Sequence, residues 1–243
     1  MKPGAEVWRD DTLVRTFLEG VRGGIPLAAE QLDAMLRVVA ARDKPVRRFL
    51  DVGSGAGAVA AAVLSRFPDA RAVLVDFSEA MLEGARAQFG SDQHRLILAD
   101  VGQEAWIADV TSEAPFDAVV SGYAIHHLRD ERKRTLYSEI YELLAPGGVF
   151  VNVEHVLPAT PWVGTINDDL FIDSLFAHHQ RRGGAKSRQQ VADEYYFRPD
   201  KAANILAPVD VQCSWLREIG FADVDCYFKV FELAVFGGRK PAS

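Results

Sequence analysis

Short apolar runs alternate with longer amphipathic stretches along the middle of the chain, between residues 47 and 156. The apolar runs are rich in Val, Leu and Ile and are bounded by turn residues, a pattern typical of buried strands. We predict strands over residues 47–52, 71–76, 95–99, 116–121 and 149–154. Strands that alternate with helices in this way indicate an α/β fold with a mostly parallel sheet.

The helices between these strands carry their own start and stop signals. Ser78 precedes a helical segment that reaches Gly90, so we predict a helix with Ser78 as its N-cap and Gly90 as its stop. A longer helix is predicted over residues 129–144, and Pro146 with the two glycines that follow it ends that helix.

The two ends of the chain lack this alternation, although a length of 243 residues suits a single domain. We divide the domain, residues 1–243, into four parts. These are N-terminal lid helices over 1–45, an alternating core over 46–156, an inserted helical cap over 157–208, and a last helix with terminal strands over 209–243. The predicted helices outside the core span 10–21, 27–42, 167–182, 187–197 and 209–218. In the terminal hairpin, over 223–237, the pattern predicts one shared side for Val224, Cys226, Phe228 and Val230.

The charge balance and the cysteines exclude several classes of protein. Lys and Arg total 27 against 34 Asp and Glu, and the resulting charge of -7 disfavours extended binding to nucleic acid. Cys213 and Cys226 have no spacing that would build a zinc site, so we expect no structural metal and no disulfide framework. Because we find neither a signal peptide nor a membrane span, we predict a cytoplasmic protein without membrane binding.

The strongest chemical signal is a glycine-rich loop that closes the first strand and opens a helix. Gly53, Ser54, Gly55 and Gly57 lie in this loop, where main-chain N–H groups are open to a ligand. Such a loop predicts a nucleotide-like cofactor. The same glycines with Ala58 also satisfy the dinucleotide fingerprint, and a tight turn without a ligand is the plain structural alternative.

Acidic residues stand at the ends of the first three strands. Asp51 lies in the first strand, Asp76 ends the second about 20 residues after the glycine loop, and Asp100 follows the third. The carboxyl ends of parallel strands form the ligand-binding edge of an open α/β sheet, and Asp76 stands at the distance from the loop that suits ribose hydroxyls. We therefore expect these carboxylates to share one ligand site.

The pattern resembles the class I S-adenosylmethionine-dependent methyltransferases. The motifs that carry the resemblance are Asp51-x-Gly53-x-Gly55-x-Gly57, Asp76-Phe77-Ser78 with Met81, Ala99-Asp100-Val101, Phe116-Asp117-Ala118-Val119-Val120 and Leu144-Ala145-Pro146-Gly147-Gly148. The resemblance implies a Rossmann-like, three-layer α/β/α fold with a seven-stranded sheet whose last strand is antiparallel. It also makes residues 46–156 the cofactor-binding core.

The resemblance implies a contact for each part of S-adenosylmethionine. Asp51 and the glycines would hold the methionine part, Asp76 the ribose and Asp100 the adenine amino group. The full implied set is Asp51, Gly53, Ser54, Gly55, Gly57, Asp76, Phe77, Met81, Asp100, Val101, Ser121 and Gly122. An acidic group at the mouth of the loop suits a ligand with an ammonium and a sulfonium better than a pyrophosphate, which favours this cofactor over NAD.

The loop after the fourth strand, residues 121–128, should border the methyl group in this family. Tyr123 is a candidate contact and His126 a candidate general base, because an imidazole titrates near neutral pH. The alternative is that His126 caps or packs. Ser121 stands where the catechol-type enzymes have a metal-binding carboxylate, so we predict no catalytic metal, and the acceptor is expected to be a small molecule.

The C-terminal half is similar to carboxy-S-adenosylmethionine synthase, a dimeric family that serves the modification of tRNA wobble uridine. Trp215 stands where that family has an arginine for the extra carboxylate, and an indole cannot pair with a carboxylate through charge. Arg198 and Arg217 are nearby substitutes for that arginine. We therefore favour methyl transfer, and keep the synthase and a non-catalytic cofactor-binding protein as alternatives, with a homodimer possible.

Overall fold

The computed structural model describes residues 22–90 and 93–242, and within them seven strands form one sheet. The strands are β1 Arg48–Val52, β2 Arg71–Asp76, β3 Arg95–Leu98, β4 Phe116–Gly122, β5 Leu144–His155, β6 Ala222–Val230 and β7 Leu233–Arg239. Their order across the sheet is β3-β2-β1-β4-β5-β7-β6. The first five pair in parallel, whereas β7 is antiparallel to both β5 and β6. The predicted sheet, with its antiparallel last strand, is therefore confirmed.

Helices cover both faces of this sheet. The described helices are α1 Ala28–Ala40, α2 Ala58–Arg66, α3 Glu79–Phe89, α4 Trp106–Val110, α5 Asp130–Leu143, α6 Pro161–Arg181, α7 Arg188–Tyr196, α8 Pro199–Ala202 and α9 Val209–Ile219. The predicted helix over 10–21 lies outside the described residues, and the helix predicted over 27–42 is α1. None of the helices within the described ranges combines the length and apolar character needed to cross a bilayer.

Period-two alternation along each strand produces two separate cores. In β1, Leu50 and Val52 belong to the core beneath α4, α5 and α9, whereas Phe49 belongs to the core beneath α1, α2 and α3. Successive strand side chains point to opposite faces, so Asp51 shares the α2 side with Phe49. The three-layer prediction is confirmed, and the side on which Asp51 lies has a consequence for the site.

Local chemistry sets the helix ends that position the site. The Ser78 hydroxyl accepts a hydrogen bond from the Met81 N–H at 3.4 Å, and α3 ends before Gly90, as the sequence predicts. Further along, α6 begins six residues earlier than predicted, since the Thr160 hydroxyl caps it and Pro161 takes the first helical position.

The strand β5 is longer than predicted. It begins at Leu144 rather than residue 149, and Pro146-Gly147-Gly148 lie inside an irregular stretch where the register with β4 shifts. Gly147 takes a φ of 76° there and donates its N–H to the Lys240 carbonyl. The turn residues therefore form a bulge against the end of the chain instead of a loop.

The cap lies against the loop that follows β4. The Ile205 N–H donates to the His126 carbonyl at 2.8 Å, and Lys133 in α5 donates to the Ile205 carbonyl at 2.5 Å. On the outer side of the cap, Lys186 pairs with Glu194, and Arg188 pairs with Asp169 and Asp173 of α6. These two cations of the cap are therefore paired with acidic side chains.

Candidate functional site

A cavity opens at the edge of the sheet where the strands β1 to β4 end. Most of the residues that the sequence assigns to the site line it, namely Gly53, Ser54, Gly55, Asp76, Phe77, Met81, Asp100, Val101, Gly122 and Tyr123. They come from loops that are distant in sequence and meet because the strands run parallel. The structure therefore brings most of the predicted site residues together around one cavity.

The glycine loop needs its glycines for two reasons. Gly53 and Gly55 take φ values of 65° and 54°, in the left-handed region that side chains disfavour. A Cβ on Gly53 would also lie 2.2 Å from the Ala124 Cβ, and one on Gly122 would lie 2.5 Å from Val59. The backbone of Gly53 and of Gly122 therefore packs directly against the side chains of Ala124 and Val59, which leaves no room for a side chain at either position.

Asp76 organises the loop as well as lining the cavity. Its carboxylate accepts hydrogen bonds from the Gly55 N–H at 2.8 Å and the Ser78 N–H at 2.9 Å. Burial raises the pKa of this carboxyl above its ordinary value, although these N–H groups oppose the shift, and the negative charge of Asp100 adds to it. Each carboxylate oxygen has a second lone pair, so the group keeps acceptor capacity for ligand hydroxyls.

Asp100 and its neighbours form the next part of the wall. The Asp100 carboxylate accepts from the Gly102 N–H at 2.8 Å, which fixes the turn after β3. Arg132 from α5 donates to the Val101 carbonyl at 2.8 Å and so holds the same turn from behind. Among the described residues that line the cavity, the side chains charged at neutral pH are those of Asp76 and Asp100, so the wall carries negative charge.

Three predicted contacts lie behind the wall. Asp51 is fully buried and accepts from the Ala60 N–H in α2 at 3.0 Å. Ser121 donates to the Val52 carbonyl at 2.7 Å, and a Cβ on Gly57 would meet the Phe89 ring at 2.3 Å. The observed contacts of these residues hold the loop together, and direct cofactor binding by them stays a prediction.

The two neighbouring histidines have different surroundings. The His126 Nδ1 lies 2.5 Å from Glu154 Oε1, and Glu154 is 1% exposed. His127, by contrast, lines the cavity, and its Nδ1 lies 3.5 Å from the Ala203 carbonyl oxygen. Burial, together with neighbouring His126, holds the pKa of His127 well below the ordinary value, so this imidazole is neutral at pH 7. The imidazole that faces the cavity is therefore not the one that we singled out as a candidate base.

Sequence reasoning missed the wall that α1 contributes. Ile25, Ala28, Gln31 and Leu32 also line the cavity. The Tyr123 hydroxyl donates to Gln31 Oε1 at 2.6 Å, which joins α1 to the loop after β4. The cavity is thus bounded by segments on both sides of the glycine loop in sequence.

Comparison with known families decides what kind of domain surrounds this cavity. Residues 49–148 match the family model of the methyltransferase domain. The match supports a class I S-adenosylmethionine-dependent methyltransferase domain within this chain. The matched segment contains the glycine loop, Asp76, Asp100, Tyr123 and both histidines, so most of the cavity wall lies within it.

Two curated relatives resemble this methyltransferase domain over different lengths. An uncharacterized methyltransferase of Mycobacterium tuberculosis is 37% identical over 113 residues, which are 45% of this chain and 51% of that protein. The chain therefore spans about half the length of that relative. Carboxy-S-adenosyl-L-methionine synthase of Aeromonas hydrophila is 25% identical over 228 residues, covering 91% of this chain and 86% of the synthase.

Solved structures confirm the fold of the methyltransferase domain. An O-methyltransferase family protein of Burkholderia thailandensis superposes with a TM-score of 0.62 at 15% identity, covering 96% of this chain and 58% of that one. The likeness extends beyond residues 49–148 to most of the chain. It therefore places α1 and the cap within the same architecture as the core.

The residues of the methyltransferase domain fit S-adenosylmethionine. Gly53 and Gly55 line the cavity without side chains, and the acidic groups of the wall suit a ligand that carries positive charge. In the Rossmann pattern an acid at the end of the second strand binds ribose hydroxyls, so that role stays the prediction for Asp76. The residues predicted to contact the adenine, Asp100, Val101 and Met81, line the same cavity.

Proposed function

We propose that this chain transfers a methyl group from S-adenosylmethionine to a small-molecule acceptor bound between the glycine loop and α1. The observation that carries the proposal is the continuity of one cavity. It runs from the acidic wall at Asp76 and Asp100 to an apolar wall formed by Ala28, Leu32 and Val153. A ligand on the acidic side and an acceptor on the apolar side would share one enclosed space.

When bound, the cofactor supplies a methyl group that is already activated by its sulfonium. The tasks left to the protein are to orient the acceptor, exclude water and handle the proton of an acceptor O–H or N–H. Ile25, Leu32 and Val153 serve the second task, since their apolar side chains line the cavity. His127, neutral and facing the cavity, can accept a hydrogen bond or a proton from the acceptor.

Tyr123 acts as a hydrogen-bond donor in this arrangement. Burial raises the pKa of its phenol well above the ordinary value, and its hydroxyl donates to Gln31. It therefore stays protonated at neutral pH and contributes to the wall rather than taking a proton. We assign proton handling to His127, and we assign to His126 the support of the loop through Glu154.

The test combines binding with turnover. The protein is titrated with S-adenosylhomocysteine in a calorimeter and then incubated with methyl-labelled S-adenosylmethionine and a metabolite extract. We expect binding heat, a labelled product and release of S-adenosylhomocysteine. Binding without turnover across broad extracts would favour the non-catalytic alternative, and absence of binding would refute the proposal.

Matched histidine variants separate the two imidazoles. His127→Gln should lower turnover by about 100-fold while S-adenosylhomocysteine affinity stays within about twofold, since a general base contributes that order of rate. His126→Gln should instead lower the melting temperature, because it removes a hydrogen bond to a buried carboxylate. If His126→Gln folds as stably as the wild type and is the variant that loses turnover, while His127→Gln keeps it, then His126 is the base.

The similarity to the Aeromonas synthase along nearly the whole chain favours carboxy-S-adenosylmethionine synthesis as a second candidate. Trp215 packs against the core on the α9 side, and Arg217 donates to the Val224 carbonyl. Neither lines the cavity of its own chain. Native mass spectrometry of the purified protein tests this candidate, because a carboxylated ligand is heavier than S-adenosylmethionine. A cytoplasmic location, a homodimer and the lack of extended nucleic-acid binding stay predictions.

A further inference from the structure

Gln31 connects two walls of the cavity that come from different parts of the chain. It lies in α1, outside the residues that match the methyltransferase family, and is fully buried. Its Oε1 accepts from the Tyr123 hydroxyl at 2.6 Å, and its Nε2 donates to the Pro26 carbonyl at 2.9 Å. Both hydrogen-bonding ends of this amide are therefore engaged in holding residue 26 and the loop after β4 together.

The wall segment, which we define as residues 25–32, lies between two anchors. On its C-terminal side, Met35 and Val39 of α1 are fully buried in the core. On its N-terminal side, a 3₁₀ turn at Arg22–Gly24 packs against α6, since a Cβ on Gly24 would lie 2.6 Å from the Leu175 side chain. The wall segment itself faces the cavity, so its packing on that side depends on what the cavity holds.

Tyr123 is held in an unusual conformation at the other end of the contact. Its φ of 55° lies in the left-handed region, which costs a side-chain-bearing residue about 1 kcal/mol or more. Its N–H donates to the Val153 carbonyl at 2.8 Å, which fixes the backbone, whereas Gln31 fixes the end of the ring. The orientation of the Tyr123 ring toward the cavity thus depends on both contacts.

We propose that Gln31 is a positioning residue that couples closure of the wall segment to ligand binding by way of Tyr123. The inference rests on the proposed function, since it concerns the same cavity. A ligand at the acidic wall borders the loop after β4, and Tyr123 of that loop is joined to the wall segment through Gln31. Binding that favours the oriented Tyr123 ring therefore favours the joined state, and weakening the joint must lower the apparent affinity. Loss of one neutral hydrogen bond of this kind corresponds to a change of about 3- to 10-fold in affinity.

A double-mutant cycle tests this coupling with S-adenosylhomocysteine as the probe. Gln31→Leu and Tyr123→Phe each remove one partner of the hydrogen bond. Each should weaken binding by about 3- to 10-fold, and the double variant should bind about as well as either single variant. Gln189→Leu is the matched control, because it makes the same change on the exposed face of α7 and should leave affinity unchanged.

Hydrogen exchange in the wild-type protein supplies a measurement that does not depend on any variant folding, and the same measurement is then repeated on Gln31→Leu. In the wild-type protein, S-adenosylhomocysteine should slow amide exchange across the wall segment, and in Gln31→Leu that slowing should shrink while protection of β1 and β4 persists. Unchanged exchange in the wall segment, or effects in the double variant that multiply, would overturn the coupling. A wild-type protein that binds no S-adenosylhomocysteine would instead overturn the proposed function.

Discussion

The buried carboxylate of Glu154 gives the sharpest prediction about stability. Its two oxygens accept from His126 Nδ1 at 2.5 Å, the His126 N–H at 3.0 Å, the His155 N–H at 2.8 Å and Asn152 Nδ2 at 3.4 Å. All four partners are donors. In Glu154→Gln an NH₂ group replaces one of the two carboxylate oxygens. Because each oxygen of Glu154 accepts from a backbone N–H, either orientation of the new amide places an NH₂ donor against one of these N–H groups.

The expected cost follows from the contacts that are lost. One buried N–H without an acceptor costs about 1–3 kcal/mol, and loss of the charge weakens the remaining bonds by about 1 kcal/mol. We expect Glu154→Gln to lower the free energy of unfolding by about 2–4 kcal/mol, equivalent to about 4–16 °C in melting temperature for a chain of this size.

Glu218→Gln is the matched control, because it makes the same chemical change at the surface. Glu218 pairs with Arg134 at 2.7 Å, and both side chains are 55% exposed. Such a pair contributes about 0–1 kcal/mol. Urea denaturation of both variants at pH 7 measures the difference. Equal losses, or a Glu154→Gln protein as stable as the wild type, would refute the assignment of Glu154 as a fully used acceptor.

Three further predictions concern the cavity wall and the cap. Because the pKa of Asp76 is raised, its folded pKa exceeds the unfolded one. Lowering the pH therefore favours the folded state at this group, because the folded protein binds the proton more tightly, but it also converts the carboxylate into a neutral acid. We expect the affinity for S-adenosylhomocysteine, measured by calorimetry, to fall as the pH drops toward this pKa, and the fall should begin above the ordinary carboxyl value of 3.8. The same pH dependence in Asp76→Asn would contradict this assignment. Gly53→Ala should abolish binding of S-adenosylhomocysteine, because the new Cβ clashes with Ala124. Gly90→Ala is the control: Gly90 has a φ of 69° and no atom within 4 Å of an added Cβ, so this change should lower only stability, by about 1 kcal/mol. Equal binding by the two variants would be evidence against the close approach of Gly53 to Ala124. Asn167 in α6 is fully buried, and among described residues neither of its side-chain polar atoms has a hydrogen-bond partner. Asn167→Leu should therefore raise the melting temperature, and a fall would reveal an amide partner such as bound water.

The fold was largely predictable because its signals are local. β2, Arg71–Asp76, matches its prediction at both ends, since its apolar run over residues 72–75 is bounded by a charged residue on either side. The hairpin is the exception. A register shift between Cys226 and Phe228 moves Phe228 to the opposite core from Val224 and Cys226, so the predicted shared side is wrong beyond the shift. A bulge of this kind depends on the partner strand and has no local signal.

The site residues that lie at strand ends could be predicted from the sequence. The orientation of side chains in the loop after β4 could not. Asp76 and Asp100 meet because parallel strands end at one edge. Which histidine faces the cavity depends on the 3₁₀ turn at Ile125–His127, which turns successive side chains in different directions. One signal for Gln31 was present: it shares a four-residue spacing with Met35 and Val39, which marks a polar group on a buried helix face.

The position of β7 bears on how this protein is made. It is the last of the seven strands along the chain, yet it lies between β5 and β6 inside the sheet. A nascent polypeptide emerging from the ribosome therefore exposes the edge of β5 until β7 has emerged, and β6 lacks its partner for the same time. A chain that stops at residue 232 would thus lack an interior strand, and we expect it to be insoluble.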